Sequence, residues 1–405
     1  MTALLERVFY PALALLWMMF TLSSQWPPSL SGSDLLYAAG RAVAEGRPED
    51  MFAAQIETLA VYAPLWGYLL APLSGLVSAA SFAKALFLVQ MGLLAGAVGL
   101  AWRLVRPPRL SFQTWCALSF LTLATSQAAI GALAQNSPQI TGLFLVLLAF
   151  ERYRTGRFAL SGALLALATL FTLAPLLFAL VFVLDRNKHA VAGFLSAVAL
   201  IWGLGGLVAG AALHQTYFAL LGGLDSLVIL HGQNHAPEMI LYHLAQQLGG
   251  AQAAALAQAG ASPLTVAEPL WLASLMALAK LAAIGALVLM RPRLTPGTAM
   301  PVLLMALSLI ASLFGPVSWS ESFLMALLLL PALLHIMSRR RAWAWIIALL
   351  TSQSMATYTA LESAQMPGLW LALLGAGGFL ALLLAVQLAV LRAVRFEPQV
   401  PAAFR

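Results

Sequence analysis

An aspartate follows a Ser-Gly-Ser turn early in the chain, and around it stand most of the residue types from which acid–base chemistry is built. The segment reads Ser31-Gly32-Ser33-Asp34-Leu35-Leu36-Tyr37, with Arg41, Glu45, Gly46-Arg47-Pro48, Glu49 and Asp50 after it. A carboxylate at the start of an amphipathic helix has two uses. It caps the helix, because Asp and Ser side chains accept hydrogen bonds from the first free backbone amides. Alternatively, it takes a proton from a hydroxyl. Arg41 falls two turns further along, on much the same helix face. It either binds a phosphate or pairs with Glu45, four residues on.

A second polar constellation is His231-Gly232-Gln233-Asn234-His235-Ala236-Pro237-Glu238, with His243 shortly after. Three histidines and a glutamate this close invite a zinc reading. Gly232 and Pro237 spoil the helical spacing that zinc would need, so recognition of a sugar or an acceptor by Gln233, Asn234 and His235 is the better functional reading. A solvated loop is the plain one. Asp34, Asp50 and Glu57 are a conceivable divalent-ion set, but no metal or other cofactor is expected. Three further features lie in or beside apolar runs. Lys280 sits in Met276-Ala277-Leu278-Ala279-Lys280-Leu281-Ala282, far from either end of its run. An intramembrane cation is costly unless paired, which marks it as a functional candidate. Gln135-Asn136-Ser137-Pro138-Gln139 forms a polar hairpin tip, and Gly315-Pro316-Val317-Ser318-Trp319-Ser320-Glu321 joins a break, an aromatic and a carboxylate. Read singly, each is an interfacial turn. Together with Asp34 they describe one cavity.

The elements that position these residues follow from composition. Hydrophobic residues make up 62% of the chain and charged ones 9%, against roughly 25% charged residues in a soluble domain. Such a chain cannot cover itself with charge, so its solvent is lipid. Apolar runs fall at about 8–24, 84–102, 112–133, 138–150, 158–171, 172–184, 190–212, 269–290, 298–315, 322–337, 342–357 and 367–391. The expected fold is all-α and integral to the membrane, one polytopic domain over 1–405 with about twelve spans. The first run lacks a small-residue cleavage site and is read as a retained span. Cys116 has no partner, which excludes a disulfide or a thiolate metal site within one chain.

Basic clusters follow every second run: Arg103/Arg106/Arg109, Arg152/Arg154/Arg157, Arg186/Lys188, Arg291/Arg293 and Arg339/Arg340/Arg341. With Arg7, Arg392, Arg395 and Arg405 they hold seventeen of the 21 Lys and Arg residues. The positive-inside rule makes these loops and both termini cytoplasmic, as in a bacterial inner membrane. The net charge of +7 is thereby spent on topology, and no nucleic-acid partner is expected. Counting 61–79 as a span would invert every later loop, so that Pro-interrupted stretch is expected as an interfacial or re-entrant helix on the outer side. Two outer segments are long: 25–83, including its interfacial helices, and 213–268. Spans five and six meet at Thr172-Leu173-Ala174-Pro175 and are too short for two full crossings. Either they are half-length helices lining a cavity, or they are one long kinked helix.

In chain order, these motifs resemble the polyprenyl-phosphate-dependent membrane glycosyltransferases of the GT-C superfamily, most nearly glycosyltransferase family 87, whose members include mannosyltransferases. Asp34 with Tyr37 and Gly46-Arg47-Pro48 is similar to that family's first-loop Asp, Tyr and Gly-x-Pro turn. Tyr62-Ala63-Pro64-Leu65 is similar to its aromatic-Pro-Pro-Leu start of an interfacial helix. Ala134-Gln135-Asn136-Ser137 resembles a Gly-Gln-x-Asn hairpin tip, and Phe171-Thr172-Leu173-Ala174-Pro175 a Lys-x-x-Pro element. Gly232-Gln233-Asn234-His235 loosely echoes an Asn-Gln-Ser element. Thr172 stands where the family has its Lys, and Ala63 replaces the first Pro of the pair.

The resemblance implies a GT-C-type helical bundle that moves a sugar, mannose or another hexose or pentose, from a polyprenyl-phosphate donor to a lipid or glycan acceptor, with inversion, on the outer face. It implies Asp34 as the general base. Arg41, Lys280, Tyr37 and Tyr62 would hold the donor and its phosphate. Gln135, Asn136, Gln233, Asn234, His235 and Glu321 would hold the sugar or acceptor. Two other readings stand beside it: a non-catalytic, lipid-binding relative, kept open by Thr172, and a twelve-span secondary transporter, which would need two similar halves.

Overall fold

The computed structural model describes residues 2–28, 31–58, 61–108, 110–231, 233–249, 264–315, 317–366 and 368–392. Helices form almost all of it. The first half of the chain runs through α1 (Thr2–Gln25), α2 (Ser31–Ala44), α3 (Ala53–Thr58), α4 (Leu65–Leu76), α5 (Ala79–Val105), α6 (Phe112–Thr125), α7 (Gln127–Ala134), α8 (Gln139–Arg154), α9 (Phe158–Ala168), α10 (Pro175–Phe178) and α11 (Leu180–Leu184). Next come α12 (Lys188–Leu224), strand β1 (Leu227–Leu230), α13 (Pro237–Gly249) and strand β2 (Leu264–Ala267). The last part comprises α14 (Leu270–Met290), α15 (Pro296–Leu313), α16 (Leu324–Leu329), α17 (Arg339–Ser352), α18 (Met355–Ser363), α19 (Gly368–Ala372) and α20 (Gly378–Arg392).

Among the described residues, six helices are long and apolar enough to cross a membrane: Val8–Gln25, Ala79–Val105, Lys188–Leu224, Leu270–Arg293, Pro296–Leu313 and Gly368–Arg392. The count of twelve spans expected from hydropathy is not confirmed by helices of that length among the described residues. Leu76, Leu207 and Leu270 are 82%, 84% and 83% exposed, a surface suited to hydrocarbon rather than water. Within the bundle, α15 is buried along nearly its whole length, with Val302 to Leu307 at 0–1% exposure. It is the central helix around which the others close.

Part of the remaining apolar chain is built from interrupted helices. The run over 112–134 breaks at Ser126, where α6 ends and α7 begins, and the run over 339–363 breaks at Gln353-Ser354 between α17 and α18. Lipid cannot satisfy a freed backbone group, and the two breaks satisfy each other. Ser126 and Ser354 form an antiparallel bridge, and the Gln127 amide donates to the Gln353 carbonyl at 2.9 Å. Each serine also caps the helix it opens, Ser126 accepting from the Ala129 amide and Ser354 from the Thr357 amide.

The segment 158–184 is a hairpin of half-length helices rather than one kinked helix or two crossings. Both its ends return to Tyr153: that ring stacks on Phe182 and meets Phe158 edge-on. Its hydroxyl donates to Asp185 at 3.0 Å, and Asp185 is paired with Arg291 at 2.6 Å. α9 has 11 residues, about 16 Å at 1.5 Å per residue, well short of a ~30 Å hydrocarbon core. The arm is seated against α12 at two glycines. A Cβ on Gly162 would lie 2.2 Å from the Ala190 carbonyl oxygen, and one on Gly193 2.4 Å from that of Ala159.

At the opposite face, α2 lies on α4, with Gly40 against the Leu70 backbone. Within 61–79, α4 is a separate short helix of 12 residues. It roofs the hairpin tip: Trp66 Nε1 donates to the Leu170 carbonyl at 2.8 Å and its ring packs on Phe171 at 4.7 Å. The expected outer segment 213–268 is not all loop. α12 continues past a non-helical Gly210, φ 80°, to Leu224, a backbone angle that glycine accepts without strain. β1 then pairs antiparallel with β2, Leu227 opposite Ala267.

Candidate functional site

Between α8, the hairpin tip, α15 and the 317–325 segment lies a cavity of about 720 Å³. Its walls are of mixed character. Tyr62, Trp319, Glu321, Ser322, Gln139 and Asp225 are among the lining residues, and so are Leu143, Val146, Leu176, Leu177, Phe178 and Met325. Thr172 at the hairpin tip and Lys280 on α14 line the same space. Lining residues with both polar and apolar character suit an amphiphile better than a small solute.

Glu321 reaches this wall because the segment carrying it is strapped to the loop before α13. The His235 amide donates to the Ser318 carbonyl at 2.7 Å, the Ser320 amide donates to the Gln233 carbonyl at 3.0 Å, and Asn234 bridges Trp319. Ser312 Oγ donates to the Ser322 carbonyl at 2.6 Å. Glu321 is only 7% exposed, and among the described residues it has no ion pair. Burial pushes its carboxyl up to about 7, while its own backbone amide pulls the other way. Tyr62, also on the cavity wall, has its phenol raised by burial and by the charge of Glu321.

The other residues singled out from the sequence have varied fates. Asp34 lies in the first turn of α2 rather than before it, so it is not the residue that precedes and caps the helix. Burial raises its carboxyl, and among the described residues it has no ion pair. It is not a lining residue of the cavity. Its neighbours Leu35 and Leu36 pack on Tyr62, which is. Gly32 donates its amide to the Gln135 carbonyl at 2.7 Å, bringing the first polar segment to the hairpin tip at 135–139.

Arg41 turns away from the cavity. It is exposed and paired with Glu45 at 2.5 Å, the surface pairing that i,i+4 spacing favours. The Tyr37 hydroxyl donates to the carbonyls of Ser74 and Val77, tying α2 to the end of α4. Asn136 takes the left-handed conformation, φ 55°, that Asn tolerates best after Gly, and its amide donates to the Ala83 carbonyl at 2.8 Å. Asn234 donates to Ile229 and accepts from the Ala236 amide. His235 is stacked on Tyr358 and packed against Phe323 and Phe379. Burial pushes it down to about 4, so it is neutral. Asn234 and His235 thus hold the frame on which Glu321 is mounted, while Asn136 ties the hairpin tip to α5. The zinc reading finds no support, since no His, Cys, Asp or Glu group among the described residues is arranged to hold a metal. Asp50 pairs with Arg47, and the Glu57 side chain lies outside the described residues, as do Gly232 and Pro316.

Asp225 and Ser322 are cavity residues that the sequence reading did not single out, and Gln139 entered it only as the end of the hairpin tip. Asp225 ends α12 and repels Glu238 and Glu268, raising both carboxyls, with Glu238 reaching about 8 chiefly through burial. The signal available for Asp225 was its place after Leu221-Gly222-Gly223-Leu224, the end of a helix. For Gln139 it was the polar tip itself.

Residues 60–317 match the model of glycosyltransferase family 87. The chain belongs to glycosyltransferase family 87. The matched residues cover more than half the sequence and include Tyr62, Gln135, Thr172, Asp225 and Lys280. Asp34, Tyr37 and Arg41 precede them and Glu321 follows them. No curated protein matches the chain. Membership makes this family 87 chain a membrane glycosyltransferase with a sugar donor and an acceptor as its substrates.

Proposed function

We propose that this glycosyltransferase takes its sugar, a hexose such as mannose or a pentose, from a polyprenyl phosphate and passes it with inversion to a hydroxyl of a lipid or glycan acceptor. The single observation that carries the reading is a cavity lined in part by polar groups and in part by aliphatic and aromatic ones. A lipid-phosphate sugar presents the same two characters. In the reaction the acceptor oxygen attacks the anomeric carbon from the face opposite the phosphate, and its proton passes to a carboxylate. The bond from the anomeric carbon to the phosphate oxygen breaks with its electron pair on oxygen. Asp34 is the proposed base: α2 carries it beside the Tyr62 wall, and among the described residues no cation pairs with its carboxylate, which leaves it able to accept a proton. No divalent ion is required by this scheme. We place the site on the outer face of a bacterial plasma membrane, with both termini cytoplasmic, because the basic clusters fall opposite the long polar segments.

The test is sugar transfer by the purified full chain from a panel of polyprenyl-phosphate hexoses and pentoses. Asp34→Asn should lower turnover by a factor of about 10² or more, the range of a lost general base, with the melting temperature unchanged. Turnover retained in that variant removes Asp34 from the scheme. Failure of every donor in the panel with the wild-type chain removes the donor class.

A further inference from the structure

Lys280 has no part in the proton transfer just described, yet it lines the same cavity. Its depth can be read from the basic face. Arg291, Asp185 and Tyr153 are linked there, so they share one level. Eleven residues along α14 from Arg291 stands Lys280, and eleven residues along α8 from Tyr153 stands Gly142. Both climbs rise about 16 Å. Gly142 touches the hairpin tip, where a Cβ would meet Thr172 Cγ2 at 3.7 Å. Lys280 and Thr172 therefore face one cavity from different elements at the same depth.

The basic side chains Arg41, Arg47, Arg103, Arg152 and Arg291 have carboxylate partners. Lys280 has none among the described residues, and an ammonium this far from either membrane surface calls for an anion. Thr172 can assist. Its Oγ accepts from the Ala174 amide at 3.2 Å, which leaves its proton free to donate.

We propose that Lys280 binds the phosphate of a lipid phosphate inside this cavity, with Thr172 as the hydroxyl partner and the tail lying along Leu143, Val146, Leu176 and Phe178. That the lipid is the glycosyl donor rests on the function proposed above; the seat of its phosphate does not. In transfer, Lys280 then stabilises the charge gathering on the departing phosphate oxygen.

The experiment measures binding of a fluorescent polyprenyl phosphate to the detergent-solubilised full chain, with thermal melting as the control for folding. Lys280→Met should weaken binding about 10- to 100-fold, the loss of one charge-assisted hydrogen bond. Lys280→Arg should retain most of it. The double variant Lys280→Met with Thr172→Lys should recover it, because the new ammonium enters at the same depth. Binding by Lys280→Met equal to wild type overturns the proposal, as does a folded double variant that recovers nothing. Equal displacement of the probe by phosphatidylglycerol overturns the donor assignment and gives the site to a bilayer lipid. Binding that depends on Lys280 without sugar transfer from any donor sinks the proposed function alone.

Discussion

Glu321 is a carboxyl withdrawn from bulk water and facing the cavity, with no ion pair among the described residues. Its folded-state pKa, about 7, lies above that of a free glutamate. The stability it contributes is therefore fully present below the unfolded value and is lost as pH rises through about 7. Above that pH the chain carries an uncompensated buried charge. Glu321→Gln should melt with the wild type at pH 5 and above it at pH 8, by on the order of 3 kcal/mol. A gap that does not change with pH would show that the carboxyl is solvated. In the proposed site, Glu321 accepts hydrogen bonds from sugar hydroxyls, so the same variant should raise the KM for the donor about tenfold while it stabilises the fold. This carboxyl was legible as a candidate from its place beside Trp319. Its burial was not, because the strap from Gln233 and His235 comes from a distant part of the sequence.

Interrupted helices are the devices on which the site is built. Neither break contains Gly or Pro, so hydropathy runs straight through Ser126 and Ser354 and reads plain spans. Only the pairing of the two breaks makes either of them tolerable in lipid. Ser126→Ala and Ser354→Ala should each cost about 1 kcal/mol in thermal stability, as lost helix caps do. Their double variant should depart from additivity, since the two serines are bridged. The hairpin is a different case. Its short arms and the Thr172-to-Pro175 turn were visible in sequence, but the choice between a kink and a hairpin needed Tyr153 to be seen at both ends. Gly162→Ala should push α9 from the α12 backbone. We expect a loss of about 1–3 kcal/mol, as for an overpacked core, together with weaker binding of the lipid-phosphate probe, because the same arm carries Thr172.

At the scale of the whole molecule, the arginine clusters and the long polar segments divide the chain between two faces. Reporter fusions after Arg186 and after Arg341 should be active on the cytoplasmic side, and one after Leu244 on the outer side. A reporter after Arg186 that works only outside would reverse the topology. By itself the sequence determined that this chain lives in lipid and the family it resembles. Apolar run length, charge placement and motif order are local properties that survive without coordinates. Tertiary structure decided which of the candidate groups meet. It turned Arg41 outward to Glu45, spent Tyr37, Asn136, Asn234 and His235 on the frame, and left Asp34 beside the cavity. It put Glu321, Tyr62, Thr172 and Lys280 on its walls. The direction of a side chain depends on what its element packs against, and here those partners come from helices remote in sequence.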